Sequence, residues 1–346
     1  MYKILPDWEL NFRDFPEIHP AKRFIKSKKY NREWDISLKL MAGEPLNKDE
    51  IQILTELLDF YEDYGRKISE FEFTTLSDEE ILKFKWYIRY VHNVTVYLSS
   101  DISLKEVFRL VINENIIGSK KSLTSKNLLS YPPASIVKNN NKYNRANTPD
   151  YPMFYCSESI NTALFELKPN VGDLVTVGVW RPITNHPFET YIISHNEDAY
   201  EKNAITTKSI ESLKKFKDGY DKHLTLYIES YLKLLGKQYS KKVNHHYEYL
   251  VSALISEKIL ENPELSKISN PIECLTYPSI ENKFKSNFAF RPDIIDSKWN
   301  LFCAIEFQVT KQHFDRIPNP RNNSISLVSV ENLRMTMDIK NEEITW

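Results

Sequence analysis

From Asn47 onward the chain alternates between two apolar periods, and each period names its element. Ile51, Leu54, Leu58 and Tyr61 recur at helical spacing behind Asn47, which can cap the helix with Asp49 and Glu50 in its first turn. Gly65 is the predicted stop. A second helix is predicted from Ser77, where Ser77 and Glu80 make a capping box and Ile81, Phe84, Ile88 and Val91 form the buried stripe. Farther on, PMFYC (152–156), DLVTVGVW (173–180), IECLTYPS (272–279), SNFAF (286–290) and LFCAIEFQV (301–309) read as strands. SINTALFELK (159–168), capped by Ser159, and residues 208–236 and 246–260 read as helices. Helices sit between strands without a regular βαβα beat, so the expected fold class is α+β. Residues 1–46 have no clean period and read as irregular, VKNNNKYNRANTPD (137–150) reads as an exposed loop, and RIPNPRNN reads as another. No internal repeat is evident.

Length and charge add an organisation to this pattern. The 346 residues suggest two domains at roughly 150 residues each. A hydrophobic share of 41% with 13% aromatics supplies a core and argues against disorder. The net charge of −1 exerts no global pull towards nucleic acid or an acidic membrane, but its distribution is uneven. Residues 47–81 hold 11 acidic and 3 basic side chains, whereas residues 105–145 hold 8 basic and 2 acidic. A boundary is therefore expected near residue 100, with an acidic helical region over 1–100 and an α+β domain over 101–346. The opposite charges suggest that the first region regulates the second or mediates homo-oligomerisation. Seven glycines, with no GxGxxG and no GxxxxGK[ST], exclude Rossmann and P-loop phosphate sites. Cys156, Cys274 and Cys303 form no CxxC pair, which fits a reducing compartment better than a disulfide framework or a zinc ribbon. The start MYKILPDWELNFRDF lacks the apolar core of a signal peptide, and no apolar run approaches the roughly 20 residues of a membrane helix. The expectation is a soluble, cytoplasmic protein with no membrane partner.

The candidate chemistry lies between residues 145 and 169. Glu166 alone reads as a solvated helix glutamate, and Arg145 alone as a surface arginine. Their setting raises both: a polar loop with Arg145, a strand with Tyr155 and a short helix ending near Glu166 can bring a phosphate-binding cation, a stacking ring and an acid to one cleft. RANTPDYPMFYCSESINTALFELKP (145–169) resembles the core of the RES domain, named for its Arg, Glu and Ser. Arg145, Ala146, Asn147, Tyr155, Thr162, Ala163, Glu166 and Pro169 stand at matching positions. YPP at 131–133 resembles the family's upstream proline pair, TYPSIENKFKSNFAF (276–290) its closing segment with Ser279 and Asn287, and YEYLVSALISEKIL (247–260) the helix before it. Asp150, Cys156, Ser157 and Lys168 depart from the family pattern, and Arg109 in VFRLV is the choice for its first arginine.

The resemblance covers residues 105–310. It implies an ADP-ribosyltransferase-like fold and an NAD⁺-consuming enzyme, usually the toxin of a bacterial toxin–antitoxin pair, with an antitoxin or activator protein as partner. Cleaving the nicotinamide–ribose bond passes through an oxocarbenium-like state, and nicotinamide leaves neutral, so no general acid is needed. Glu166 would orient the ribose and stabilise the positive charge. Arg145 and Arg109 would hold the pyrophosphate, Tyr155 would stack on nicotinamide, and Ser279 would bond the ribose or a phosphate. Asn147 and Asn287 would complete the site. No cofactor is implied, since NAD⁺ is a substrate, joined in a phosphorylase by inorganic phosphate.

Rival readings are thinner. Pro292-Asp293 with Glu306 imitates a Mg²⁺-dependent nuclease, but Gln308 stands where a lysine is usual. Arg89 and His92 suggest a HEPN-like helical module whose spacing fails for catalysis. An ADP-ribosyltransferase acting on a macromolecule and an inactive interaction protein complete the alternatives. His245 and His246 are adjacent, hence about 100° apart on a helix, and the other histidines are scattered, so no metal is predicted. Basic residues over 105–145 lack the interleaved aromatics of a single-strand nucleic-acid binder.

Overall fold

The computed structural model describes Ile36, Lys39 and residues 42–70, 73–91, 99–185, 187–193, 203–219, 222–261, 271–280, 285–313 and 327–346. The first 35 residues, RIPNPRNN and His92 lie outside them.

Local capping sets the two helices between residues 48 and 91. Asn47 Oδ1 accepts from Glu50 N at 3.0 Å while Glu50 Oε2 accepts from Asn47 N at 2.9 Å, opening α1 (Lys48–Glu70). The helix does not stop at Gly65. Ile68, one turn later, is 1% exposed within the main apolar cluster, and that burial outweighs the local cost of the glycine. Ser77 and Glu80 form the expected box before α2 (Asp78–Val91), whose Ile81, Phe84 and Ile88 are buried.

Beyond it the chain builds a nine-stranded sheet in the order β1-β5-β6-β7-β3-β2-β4-β8-β9. The strands are β1 (Ser99–Ile102), β2 (Val107–Ile112), β3 (Phe154–Ser157), β4 (Leu174–Pro182), β5 (Phe188–Ile192), β6 (Cys274–Pro278), β7 (Ser286–Phe290), β8 (Trp299–His313) and β9 (Leu327–Thr336). β5 and β6 run parallel, and the other pairings are antiparallel. Between them lie α3 (Asn113–Ile117), α4 (Ala134–Asn140), α5 (Ile160–Leu167), α6 (Ala204–Gly219), α7 (Lys222–Ser240), α8 (Leu250–Glu261) and α9 (Pro292–Lys298). The fold is thus α+β. The span read as helical over 208–236 holds two helices, α6 and α7. Residues 246–249 form a 3-10 turn that leads into α8. The tail that carried no assignment supplies β9 and a small hairpin of β10 (Ile339–Lys340) and β11 (Glu343–Ile344).

The expected boundary near residue 100 falls inside β1, and the helices on its two sides share one core. α1 packs on α7 and α2 on α8, and Leu54, Phe84 and Ile88 belong to the same apolar cluster as Ile228, Leu235 and Leu254. The N-terminal helices are therefore joined to the rest through buried apolar surface. No helix among the described residues is long and apolar enough to cross a membrane.

Candidate active site

Between α5 and strands β2, β3, β6 and β7 lies a cleft of about 230 Å³. Glu166 enters it from α5. Ser159 Oγ caps that helix by accepting from Thr162 N at 3.2 Å, and Lys168, in the left-handed region at φ 47°, ends it. Thr162, Ala163, Leu164 and Phe165 turn inward, which leaves Glu166 on the exposed side facing the cleft. Its Oε1 accepts from Ser279 Oγ and, at 2.9 Å, from Asn287 Nδ2. Asn287 Oδ1 in turn accepts from Ser157 Oγ at 2.6 Å, directly across the β3–β7 pair. This chain of donors holds one oxygen of the carboxylate and so orients it.

Two arginines line the same cleft, and their situations differ. Arg109 sits on β2 as a strand residue, opposite Gly178. Its Nη1 donates to Tyr155 O at 2.9 Å and its guanidinium lies 5.4 Å from the Phe154 ring centroid. Its Nε is buried with no hydrogen-bond partner, and burial pushes its pKa down to about 10. A desolvated cation with an unpartnered donor is costly to keep in the fold. Arg145 is largely committed. It donates to Tyr239 O and, at 3.5 Å, to Lys241 O and Tyr249 OH, and it lies over the Tyr249 ring at 5.2 Å. These carbonyls are at the C-terminal end of α7, where a cation complements the helix dipole. Arg145 thus borders the cleft while closing a helix.

The segment over 137–150 is an exposed loop only in part: residues 138–142, Asn144 and Asp150 are exposed, but 137–140 close α4 and other positions are buried. Tyr143, Ala146, Asn147 and Thr148 are buried because distant residues satisfy their polar groups. Ala146 N donates to Tyr155 OH at 2.8 Å, Tyr155 OH donates to Asn147 Oδ1 at 3.0 Å, and Thr148 Oγ1 donates to Glu257 Oε2 at 2.7 Å. The expected roles of Tyr155 and Asn147 change accordingly. Tyr155 borders the cleft, but burial raises its phenol pKa and its hydroxyl pins the Arg145 segment. Asn147 is buried and spends its carboxamide oxygen on Tyr155.

The structure therefore brings Glu166, Ser279, Asn287, Arg109, Arg145 and Tyr155 together, and places Asn147 behind them. Ser157, Tyr277 and Tyr249 were not singled out in the sequence. Ser157 had a signal: it stands two residues after Tyr155 on one strand, hence on the same face.

The other candidates take structural places. Glu306 is buried and accepts from Arg334 Nε, Ser122 Oγ and Asn113 Nδ2 at 3.0, 3.0 and 3.1 Å, while Asp293 pairs with Arg291. No group of three or more His, Cys, Asp or Glu among the described residues is arranged to hold a metal ion. His245 and His246 open a 3-10 turn, with ring centroids 4.6 Å apart. Arg89 lies on α2. The three cysteines are buried, and burial raises each thiol pKa.

What the cleft can do follows from these parts. An oriented carboxylate can stabilise a developing positive charge, and an under-bonded buried arginine can hold an anionic group of the same molecule. No protein-family model matches the chain, and neither a curated protein nor a solved structure matches it.

Proposed function

We propose that this chain is an NAD⁺-degrading enzyme with an ADP-ribosyltransferase-like fold. In this reading it cleaves the bond between the nicotinamide nitrogen and ribose C1′. One observation carries the reading. Residues that the RES resemblance selects from separate stretches, Arg109, Arg145, Tyr155, Glu166, Ser279 and Asn287, meet around one cleft, with Glu166 held by Ser279 and Asn287.

Glu166 accepts the ribose 2′-hydroxyl proton in a hydrogen bond and stabilises the oxocarbenium-like ribose as the C1′–N bond lengthens. The bonding pair leaves with the pyridine nitrogen, so nicotinamide departs neutral and needs no proton. Ser279 and Asn287 keep the carboxylate aimed. Arg109 binds a pyrophosphate oxygen through the part of its guanidinium that lines the cleft, with Arg145 adding positive potential. An oxygen of water or inorganic phosphate then bonds to C1′; water gives ADP-ribose and releases a proton. NAD⁺ depletion fits a bacterial toxin or defence effector held in check by a protein partner.

The test is incubation of purified protein with NAD⁺, with and without phosphate, and chromatography of the products beside Glu166→Gln. Nicotinamide with ADP-ribose identifies hydrolysis. A phosphorylated ADP-ribose that appears only with phosphate identifies phosphorolysis, and label transferred to a macromolecule identifies ADP-ribosylation. Equal nicotinamide release by wild type and Glu166→Gln refutes the proposal.

A further inference from the structure

The cleft is smaller than the molecule it is proposed to take. Its volume of about 230 Å³ lies below the roughly 300–1,000 Å³ of pockets that enclose a drug-sized ligand. A dinucleotide with its nicotinamide ribose at Glu166 and its pyrophosphate at the arginines must therefore lay its other half outside. The wall formed by β2 and α5 offers it little, because Leu110, Ala163 and Leu167 there are aliphatic and belong to a core cluster.

The surroundings of Arg145 differ in chemistry. Tyr143, two residues before Arg145, is stacked with His246, the rings 8° from parallel with centroids 6.3 Å apart. Tyr247 lies 4.2 Å from His246 and 5.2 Å from His245, centroid to centroid. The same turn ends at Tyr249, on which Arg145 lies. Lys241 contributes its carbonyl to Arg145, and its side chain feels the charge of Arg145. The acid in this group, Glu248, is already engaged by the backbone N–H groups of Asn244 and His245 at 3.0 and 2.9 Å. His246 Nδ1 is buried without a partner, and burial, with His245 and Lys142 beside it, lowers the imidazole pKa. Clustered aromatic rings and adjacent cations are the elements that receive a purine base and its phosphate.

We infer that the His245–Tyr247 ring cluster beside Arg145 is the seat of the adenosine half of the substrate. The base stacks on the rings of His245 and Tyr247, and the adjoining phosphate faces Arg145 and Lys241. This inference rests on the proposed function for its ligand, and the experiment separates the two. AMP, which carries the adenosine half alone, is titrated calorimetrically into the full chain. Turnover of NAD⁺ is measured on the same preparation. Two variants are compared: Tyr247→Ala, and His245→Asn, which removes a ring but retains a residue able to cap the turn.

Loss of one stacking surface weakens AMP binding and raises the KM for NAD⁺ by about 5- to 150-fold. His245→Asn serves if Tyr247→Ala does not fold. Absence of AMP binding by the unmodified protein at millimolar concentration overturns the inference, as does unchanged AMP affinity in the folded variants. A fall in kcat without a change in KM also overturns it, because the rings would then act only through Arg145. AMP binding that the variants weaken, in a protein that never turns over NAD⁺, supports the ring site and removes the reading of the cleft.

Discussion

Arg109 is the residue whose replacement separates a binding cation from a structural one. In Arg109→Met the unbranched stem is kept and the buried charge is lost. Burial pushes this guanidinium down to about 10, from an ordinary arginine value above about 12. At 1.36 kcal/mol per unit, holding the charge in the fold costs about 3 kcal/mol. That cost stands in full below about pH 10 and is relieved only above it, so it is present at neutral pH. On the other side, Met forfeits the bond to Tyr155 O, about 1 kcal/mol, and the contact with Phe154, about 1 kcal/mol. The variant is therefore as stable as the parent or about 1 kcal/mol more stable, a melting temperature equal or up to about 3 °C higher. Its kcat/KM for NAD⁺ falls about 10- to 150-fold, the worth of one charge-assisted bond to phosphate. Scanning calorimetry and NAD⁺ consumption on one preparation read both quantities. A melting temperature lower by more than about 5 °C with turnover within about threefold of the parent would make Arg109 a stitch between β2 and β3, and refute its assignment to substrate.

Other expectations follow from the hydrogen bonds and charges described above. Tyr155→Phe leaves the Ala146 N–H buried without its acceptor, which costs about 1–3 kcal/mol and loosens the Arg145 segment; unchanged urea midpoint and turnover would contradict this. Arg334→Ala removes the cation from Glu306, which is 3% exposed. Because Arg334 is 44% exposed and partly screened, the loss is about 2 kcal/mol, read by denaturation with kcat for NAD⁺ unaltered. Lys241 is pushed down to about 8, chiefly by burial and further by Arg145, against the pull of Glu248. Its charged form is thus disfavoured in the fold, and the parent should gain stability between about pH 8 and pH 10 relative to Lys241→Met. Parallel urea midpoints of the two proteins across that window would rule this out.

The parts of this molecule that the sequence discloses are those governed by near neighbours. The Ser77–Glu80 box, the Asn47 cap and the Ser159 cap of α5 each join residues within one helical turn. Strands β4, β7 and β8 announce themselves through β-branched and aromatic runs that suit a pleated, mostly buried sheet. Glu166, Ser279 and Asn287 were legible through their resemblance to a known pattern. That Ser279 and Asn287 bond the same carboxylate oxygen was not, since 113 and 121 residues separate them from Glu166.

Tertiary structure decided whatever depends on partners far along the chain. Within the polar run over 137–150, residues 146–148 are buried where Tyr155 and Glu257 satisfy their polar groups, and no local rule foresees that. α1 passes Gly65 because Ile68 finds a core, and β9 exists because β8 offers it an edge. The two arginines, alike in sequence, part company in the same way. One keeps an idle buried donor, and the other closes a helix whose end lies about 95 residues away. Caps and periodicity are short-range physics, carried by the sequence itself. The solvation of a charge and the availability of its donors are set by what the fold packs around it.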